Sequence, residues 1–210
     1  MTINDIVNQL KYGELRAIAT KDDNYAIVSY INLALQALYN RFPLKTSEQV
    51  IQLKSNIAEY TLNSDVMVIE GIYDENGDEF DLDNPTSRFS IQQVDFETIQ
   101  VPNPSTGSYI SVVYKSSPTI LVYTNESDLS KRISLPPQLL EPMLHYIGYR
   151  AHGSMDGNIK AENNTHYMRF VASCDRIDAL GLVRRAVPPA HISQAEDISE
   201  TTNIYEDLGE

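Results

Sequence analysis

The hydrophobic period of this chain changes twice, and both changes fall at prolines. Up to Pro43 the apolar residues recur every three or four positions; from Val50 to Leu135 they alternate; after Pro136 the helical spacing returns. That order predicts an α+β fold in which a sheet interrupts a bundle. The length of 210 residues and 42% hydrophobic content suit one domain or two intimately joined ones. The expected layout is a helical bundle from residues 1–45 and 136–185, with two N-terminal and two C-terminal helices. An antiparallel β domain occupies residues 46–135, and residues 186–210 form an acidic, extended C-terminal arm.

Each helix carries its own signals. Thr2 and Asp5 resemble a capping box, and Ile3, Ile6, Val7 and Leu10 fall on one face of a helix over residues 3–18, weakened at Gly13. Asp22 or Asp23 supplies the cap of the second helix. Its stripe of Ile27, Val28, Ile31, Leu35, Leu38 and Phe42 stops at Pro43, because proline pushes the preceding residue out of helical geometry. A third helix is expected over 136–152, with Leu139, Leu140, Met143, Leu144, Ile147 and Ala151 inward. Pro142 belongs to its first turn or kinks it. A fourth runs from about Ala161 to Arg184 with Tyr167, Phe170, Val171, Cys174, Ile177 and Leu180 inward. Bundle core is preferred over a ligand groove for Ile27, Ile31, Leu35, Leu38, Leu144, Ile147, Val171, Cys174 and Ile177, since such stripes are how helices bury themselves.

Strands are predicted at Val50–Leu53, Glu59–Leu62, Val66–Tyr73, Glu79–Leu82, Phe89–Val94, Thr98–Val101, Tyr109–Lys115 and Thr119–Tyr123. Asn76-Gly77 predicts a tight hairpin with positive φ at both turn positions. The acidic run Asp74–Asp83 lacks the full spacing of a calcium loop and reads as an exposed hairpin, with weak cation uptake left open.

Charge and cysteine usage narrow the function classes. Net charge is −13 and the pI about 4.6, so an exposed surface of this sign is repelled by nucleic-acid phosphates and anionic membranes. The single cysteine, Cys174, cannot close an intrachain disulfide. The start has no signal-peptide character and no apolar run approaches the roughly 20 residues needed to span a bilayer. Synthesis in a cytoplasm is the expectation.

No catalytic motif is present: there is no nucleophile elbow, phosphate loop, dinucleotide fingerprint or zinc-ligand cysteine pair. His145 and His152 share a helix face, His166 follows on the next helix, and Asp156 and Glu162 lie between. Without HExxH or CxxC spacing these read as surface or bundle-edge histidines. No catalytic residue, metal site or cofactor is expected.

Past Ala186 every formally charged residue is acidic, Glu196, Asp197, Glu206 and Asp207 among them, and Ile192, Ile198 and Ile204 are spaced six apart with Tyr205 beside the last. Six is a multiple of two and of three, so the isoleucines share a face in a strand or a polyproline-type extension. Two readings stay open: a solubilising disordered tail, or an arm that orders on a partner.

The whole arrangement resembles the head-to-tail adaptor family of tailed bacteriophages (connector, head-completion and ring proteins). The resemblance spans residues 3–182: two N-terminal helices with Ala34-Leu35-Gln36-Ala37-Leu38-Tyr39; a β insertion ending in Tyr114-Lys115-Ser116-Ser117-Pro118; and Leu135–Pro142 opening a helix that carries Tyr146-Ile147-Gly148-Tyr149-Arg150-Ala151. The Asn, Ile and Tyr richness suits a phage of an AT-rich host, crAss-like phages included, where such a subunit is called a ring protein. The resemblance implies a structural virion protein and not an enzyme. It implies a homo-oligomeric, usually dodecameric ring at the virion neck, docked on the portal protein and offering a platform to the next tail or ring protein. Double-stranded DNA would pass through without specific binding during packaging, retention and ejection, and the acidic arm would reach the portal or a neighbouring subunit. No membrane partner is implied. The competing class is a minor tail or virion module whose β domain engages another tail protein or a receptor.

Overall fold

The computed structural model describes residues 1–153 and 165–183, with backbone only at Ala19 and Thr20. In chain order the elements are α1 (Ile3–Tyr12), α2 (Asn24–Arg41), β1 (Thr46–Gln52), β2 (Glu59–Thr61), β3 (Val66–Tyr73), β4 (Gln92–Gln93), β5 (Thr98–Gln100), β6 (Tyr109–Ser116), α3 (Leu140–Gly153) and α4 (Thr165–Ala179). Short 3-10 turns lie at Ala19–Asp22, Glu126–Ser130 and Pro137–Leu139. The fold is α+β, as the pattern predicts. The chain forms two compact units whose described parts are residues 1–45 with 117–183, and residues 46–116.

In the helical unit, Thr2 and Asp5 make the expected capping box, Asp5 N–H to Thr2 Oγ1 at 3.2 Å and Thr2 N–H to Asp5 Oδ2 at 2.8 Å. The helix ends at Tyr12, earlier than predicted. Gly13 turns the chain out, its N–H donating to the carbonyls of Gln9 and Leu10, and a Cβ there would stand 2.8 Å from the Gln9 oxygen. Asp23 caps α2 through Ala26 N–H at 3.0 Å, and Phe42, ahead of Pro43, ends it in extended geometry. Pro142 sits in the first turn of α3, where its missing N–H costs nothing. One core unites Ile6, Leu10, Ile27, Ile31, Leu38, Phe42, Met143, Ile147, Phe170, Cys174 and Ile177. Leu35 is buried with them, whereas Leu144 and Val171 are only partly buried against them. Leu180, expected inward, is exposed because α4 has already ended at Ala179.

Residues 117–135 differ most from expectation. Thr119–Tyr123 is not a strand, and the whole segment belongs to the helical unit, so the sheet unit ends at Ser116 and not at Leu135. The physical reason is a set of local replacements for a sheet partner. Asn32 of α2 receives the Leu121 N–H on Oδ1 and donates Nδ2–H to the Leu121 carbonyl, both at 2.8 Å. Farther on, Ile3 N–H donates to the Lys131 carbonyl and Ile133 N–H to the Met1 carbonyl, each at 3.0 Å. Leu129 and Ile133 are thereby drawn into the helical core. Asp128 organises the turn, accepting from Thr124 N–H and Oγ1–H at 2.8 Å and from Asn125 N–H at 3.2 Å, and pairing with Lys131 Nζ at 2.8 Å.

The sheet unit holds two three-stranded antiparallel sheets, ordered β1-β6-β3 and β2-β5-β4. The central β6 pairs Ile110 with Ile51 and Val112 with Ile72; two register shifts bend β3, one of them before Gly71. Ile72, Ile91, Ile99, Ile110 and Val112 form the core, with Tyr60 and Tyr114 buried beside them. Predicted strands at Glu79–Leu82 and Phe89–Val94 shrink to isolated bridges and the two-residue β4. The Asn76-Gly77 turn takes positive φ only at Gly77, 86°. Asp74 Oδ1 accepts from the N–H groups of Asn76 (2.8 Å) and Asp78 (2.9 Å), which fixes an Asx-type turn that needs one left-handed residue, not two. The bond from Asp78 N–H leads the causes that hold the Asp74 carboxyl below its ordinary range.

Candidate functional site

Chemistry concentrates where α3 and α4 meet each other and the turn after α1. Ridge packing of α3 on α4 brings together residues three and four apart on each helix. On one side lies an aromatic ladder: Tyr146 meets Phe170 edge-on at 5.0 Å, Tyr149 meets Tyr167 at 5.0 Å, and Tyr146 meets Tyr149 at 5.8 Å. These rings and Arg150 line an open groove of about 520 Å³, which Arg41 of α2 closes from the other side. Arg41 is itself held by Asp175 at 2.5 Å and Asp178 at 3.1 Å. Burial raises the Tyr146 phenol above its usual value, and it pushes the Cys174 thiol up to about 11, so Cys174 behaves as a small hydrophobe.

On the other side lie three of the histidines singled out in the sequence. His145 Nδ1 is 3.2 Å from Glu14 Oε1, and His166 Nδ1 is 2.8 Å from Glu14 Oε2. His152 stacks on His166 with ring centroids 4.8 Å apart and planes 10° off parallel. Its Nε2–H donates to the Glu14 carbonyl at 2.9 Å. Gly148 makes room, because a Cβ there would meet His166 Nδ1 at 2.8 Å. Burial is the main cause that lowers the His166 pKa; Glu14 opposes it, while His152, Arg169 and His145 reinforce it. Among the described residues, one ligand atom from each of Glu14, His145 and His166 lies within 4.8 Å of the others. Glu14 was the missing member in the sequence; only Gly13, as a helix stop that re-aims the next residue, hinted at it. Asp156 and Glu162 lie outside the described residues, as do the arm positions Ile192, Glu196, Asp197, Ile198, Ile204, Tyr205, Glu206 and Asp207.

No helix among the described residues is long and apolar enough to cross a membrane. The profile of the SU10 adaptor protein family matches residues 1–193. The chain belongs to that family: it is a structural adaptor of a bacteriophage virion, with a connector role between head and tail. No curated protein matches it. Among solved structures, one titled as the neck of an empty GTA particle computed with C6 symmetry is similar at 13% identity, covering 84% of this chain and 88% of that chain with a TM-score of 0.34.

Proposed function

We propose that the chain assembles as a dodecameric ring that joins the portal to the tail, continues the DNA channel and performs no catalysis. The family membership over residues 1–193 carries this reading. Surface chemistry supports it. In the helical unit the extended segment after Pro118 turns Ile120 outward at 76% exposure, with Val122 also exposed, while Leu121 and Tyr123 pack inward. An extended segment with exposed apolar side chains is suited to contact with a neighbouring copy. In the sheet unit Phe89 and Phe96 are exposed at 72% and 75%, two apolar positions suited to contact with the next tail or ring protein. A net charge of −13 lets DNA slide past without adhering.

The arm of residues 186–210 completes the reading. Ile192, Ile198 and Ile204, with Tyr205, serve as anchors on the portal or a neighbouring subunit, and Glu196, Asp197, Glu206 and Asp207 pair with basic residues there. Each buried isoleucine contributes roughly 1.5–3 kcal/mol, and fixing each backbone residue costs about 1–2 kcal/mol. Backbone pairing and ion pairs must therefore add to the anchors, and a ring engaging a ring makes each further arm nearly intramolecular.

Native mass spectrometry and negative-stain microscopy of the purified chain test the ring: closed rings are expected, reduced to monomers by Ile120→Asp with Val122→Asp. A stable wild-type monomer or trimer would sink it. Deletion from Ala186 onward should leave rings that no longer dock on portal-containing capsids.

A further inference from the structure

We infer that Glu14, His145 and His166 form a site for a divalent transition-metal ion of the zinc type, which clips the turn after α1 to α3 and α4. The inference stands on the cluster's geometry and does not rest on the ring reading. Two imidazole nitrogens and one carboxylate oxygen are the donor set that favours zinc over the hard cations magnesium and calcium. Tetrahedral zinc with bonds of about 2.0–2.2 Å keeps its ligand atoms about 3.3–3.6 Å apart. The imidazole–carboxylate contacts run to the two oxygens of Glu14, His145 Nδ1 to Oε1 at 3.2 Å and His166 Nδ1 to Oε2 at 2.8 Å, so the carboxylate lies between the two rings, and one ligand atom from each of the three residues lies within 4.8 Å of the others.

The ligands are held from outside. Glu141, which pairs with Arg176 at 2.6 Å, stands 3.8 Å from the second ring nitrogen of His145, a near neighbour beyond hydrogen-bond reach. His166 is clamped between the space left by Gly148 and the stacked ring of His152. Glu14 is anchored through its own carbonyl by His152. Such outer contacts orient ligands before the ion arrives. The cluster is also reachable: Glu14, His145 and His166 side chains retain 20%, 15% and 22% exposure. A groove of about 540 Å³ lined by His145, Glu141, Arg169, Ser173 and Arg176 opens beside them.

Three protein ligands leave a fourth position for water. The ion ties the turn after α1 to α3 and α4, and that clip is the role inferred for it. Its ligands come from three separate segments, the turn after α1, α3 and α4, so binding stabilises the helical unit by mass action.

The full chain, stripped with a chelator, is titrated with Zn²⁺ alone by calorimetry and with Co²⁺ by visible absorption. One equivalent per chain, an intense four-coordinate cobalt band and a melting rise of several degrees are expected. His145→Gln with His166→Gln should weaken binding at least about 100-fold, and Gly148→Ala, which displaces His166, about tenfold. His191→Gln, remote from the cluster in sequence, should change nothing. Should the double variant fail to fold, imidazole NMR of the wild type decides: zinc should shift His145, His152 and His166. Absence of stoichiometric uptake, binding unchanged in the folded double variant, or shifts confined to His191 would each overturn the site and leave a plain hydrogen-bonded cluster.

Discussion

The helical unit and the sheet unit use their polar side chains in opposite ways. In the helical unit they bridge segments distant in sequence: Glu14 to His145 and His166, Asn32 to Leu121, Arg41 to Asp175, Glu141 to Arg176. In the sheet unit many serve backbone groups close by: Asp74 for Asn76 and Asp78, Asn84 for Thr86, Asp95 for Glu97. Helices satisfy their own backbones and leave side chains for tertiary use. Two small sheets joined by long loops leave N–H groups that local Asp, Asn and Ser must cap. Side chains able to meet across the chain therefore collect on the helical unit.

The two units separate most sharply through their cores. Leu38→Asp places a carboxylate in a fully buried site, at a cost of several kcal/mol. Helical circular dichroism should collapse and the buried Cys174 should become reactive to thiol reagents, while amide protection in β1, β3 and β6 persists. Loss of both together would show that the two units fold as one. The converse change, Ile72→Ala in the sheet core, should cost about 2–5 kcal/mol and lower the denaturation midpoint of the sheet unit, leaving Cys174 unreactive.

Smaller effects sharpen the contrast in how polar groups are used. Gly77→Ala forces a side chain into the left-handed region and should cost about 1–2 kcal/mol, read as a lower midpoint for the sheet unit alone. Asp128 is the helical unit's counterpart. Its pairing with Lys131, and then the Thr124 N–H and hydroxyl, hold its carboxyl far below the ordinary range. The folded value is depressed, so its stabilisation is full above the unfolded carboxylate value of about 4 and is lost as pH falls below that. Melting temperatures taken from pH 6 down to pH 2 should fall more steeply below about pH 4 for the wild type than for Asp128→Asn. Equal slopes would mean that the turn at residues 124–131 does not depend on that charge.

Much of the fold is legible in the residues. The capping box at Thr2–Asp5, the Asp23 cap, the stop at Phe42–Pro43 and the span of β3 all follow from local rules. Legibility fails where a local rule meets a tertiary partner. Thr119–Tyr123 alternates like a strand, but its backbone is satisfied by the Asn32 side chain. Asn76-Gly77 resembles a two-residue turn until Asp74 caps it differently. The histidines of the candidate site were visible as a group, yet their meeting point was not, because the carboxylate that joins them sits 131 residues before His145.

By itself, then, the sequence determined the order of periods, the helix caps, the buried stripes of α2 and α3 and the acidic charge. Each depends on neighbours within a turn or two of chain, where sterics and periodicity act. Only the tertiary structure decided that residues 117–135 join the helices, that Leu180 lies outside, and that Glu14 stands between His145 and His166. The first and the last depend on contacts closed across 89 residues or more, the second on where α4 ends, and no local pattern encodes which distant group will satisfy a given polar atom.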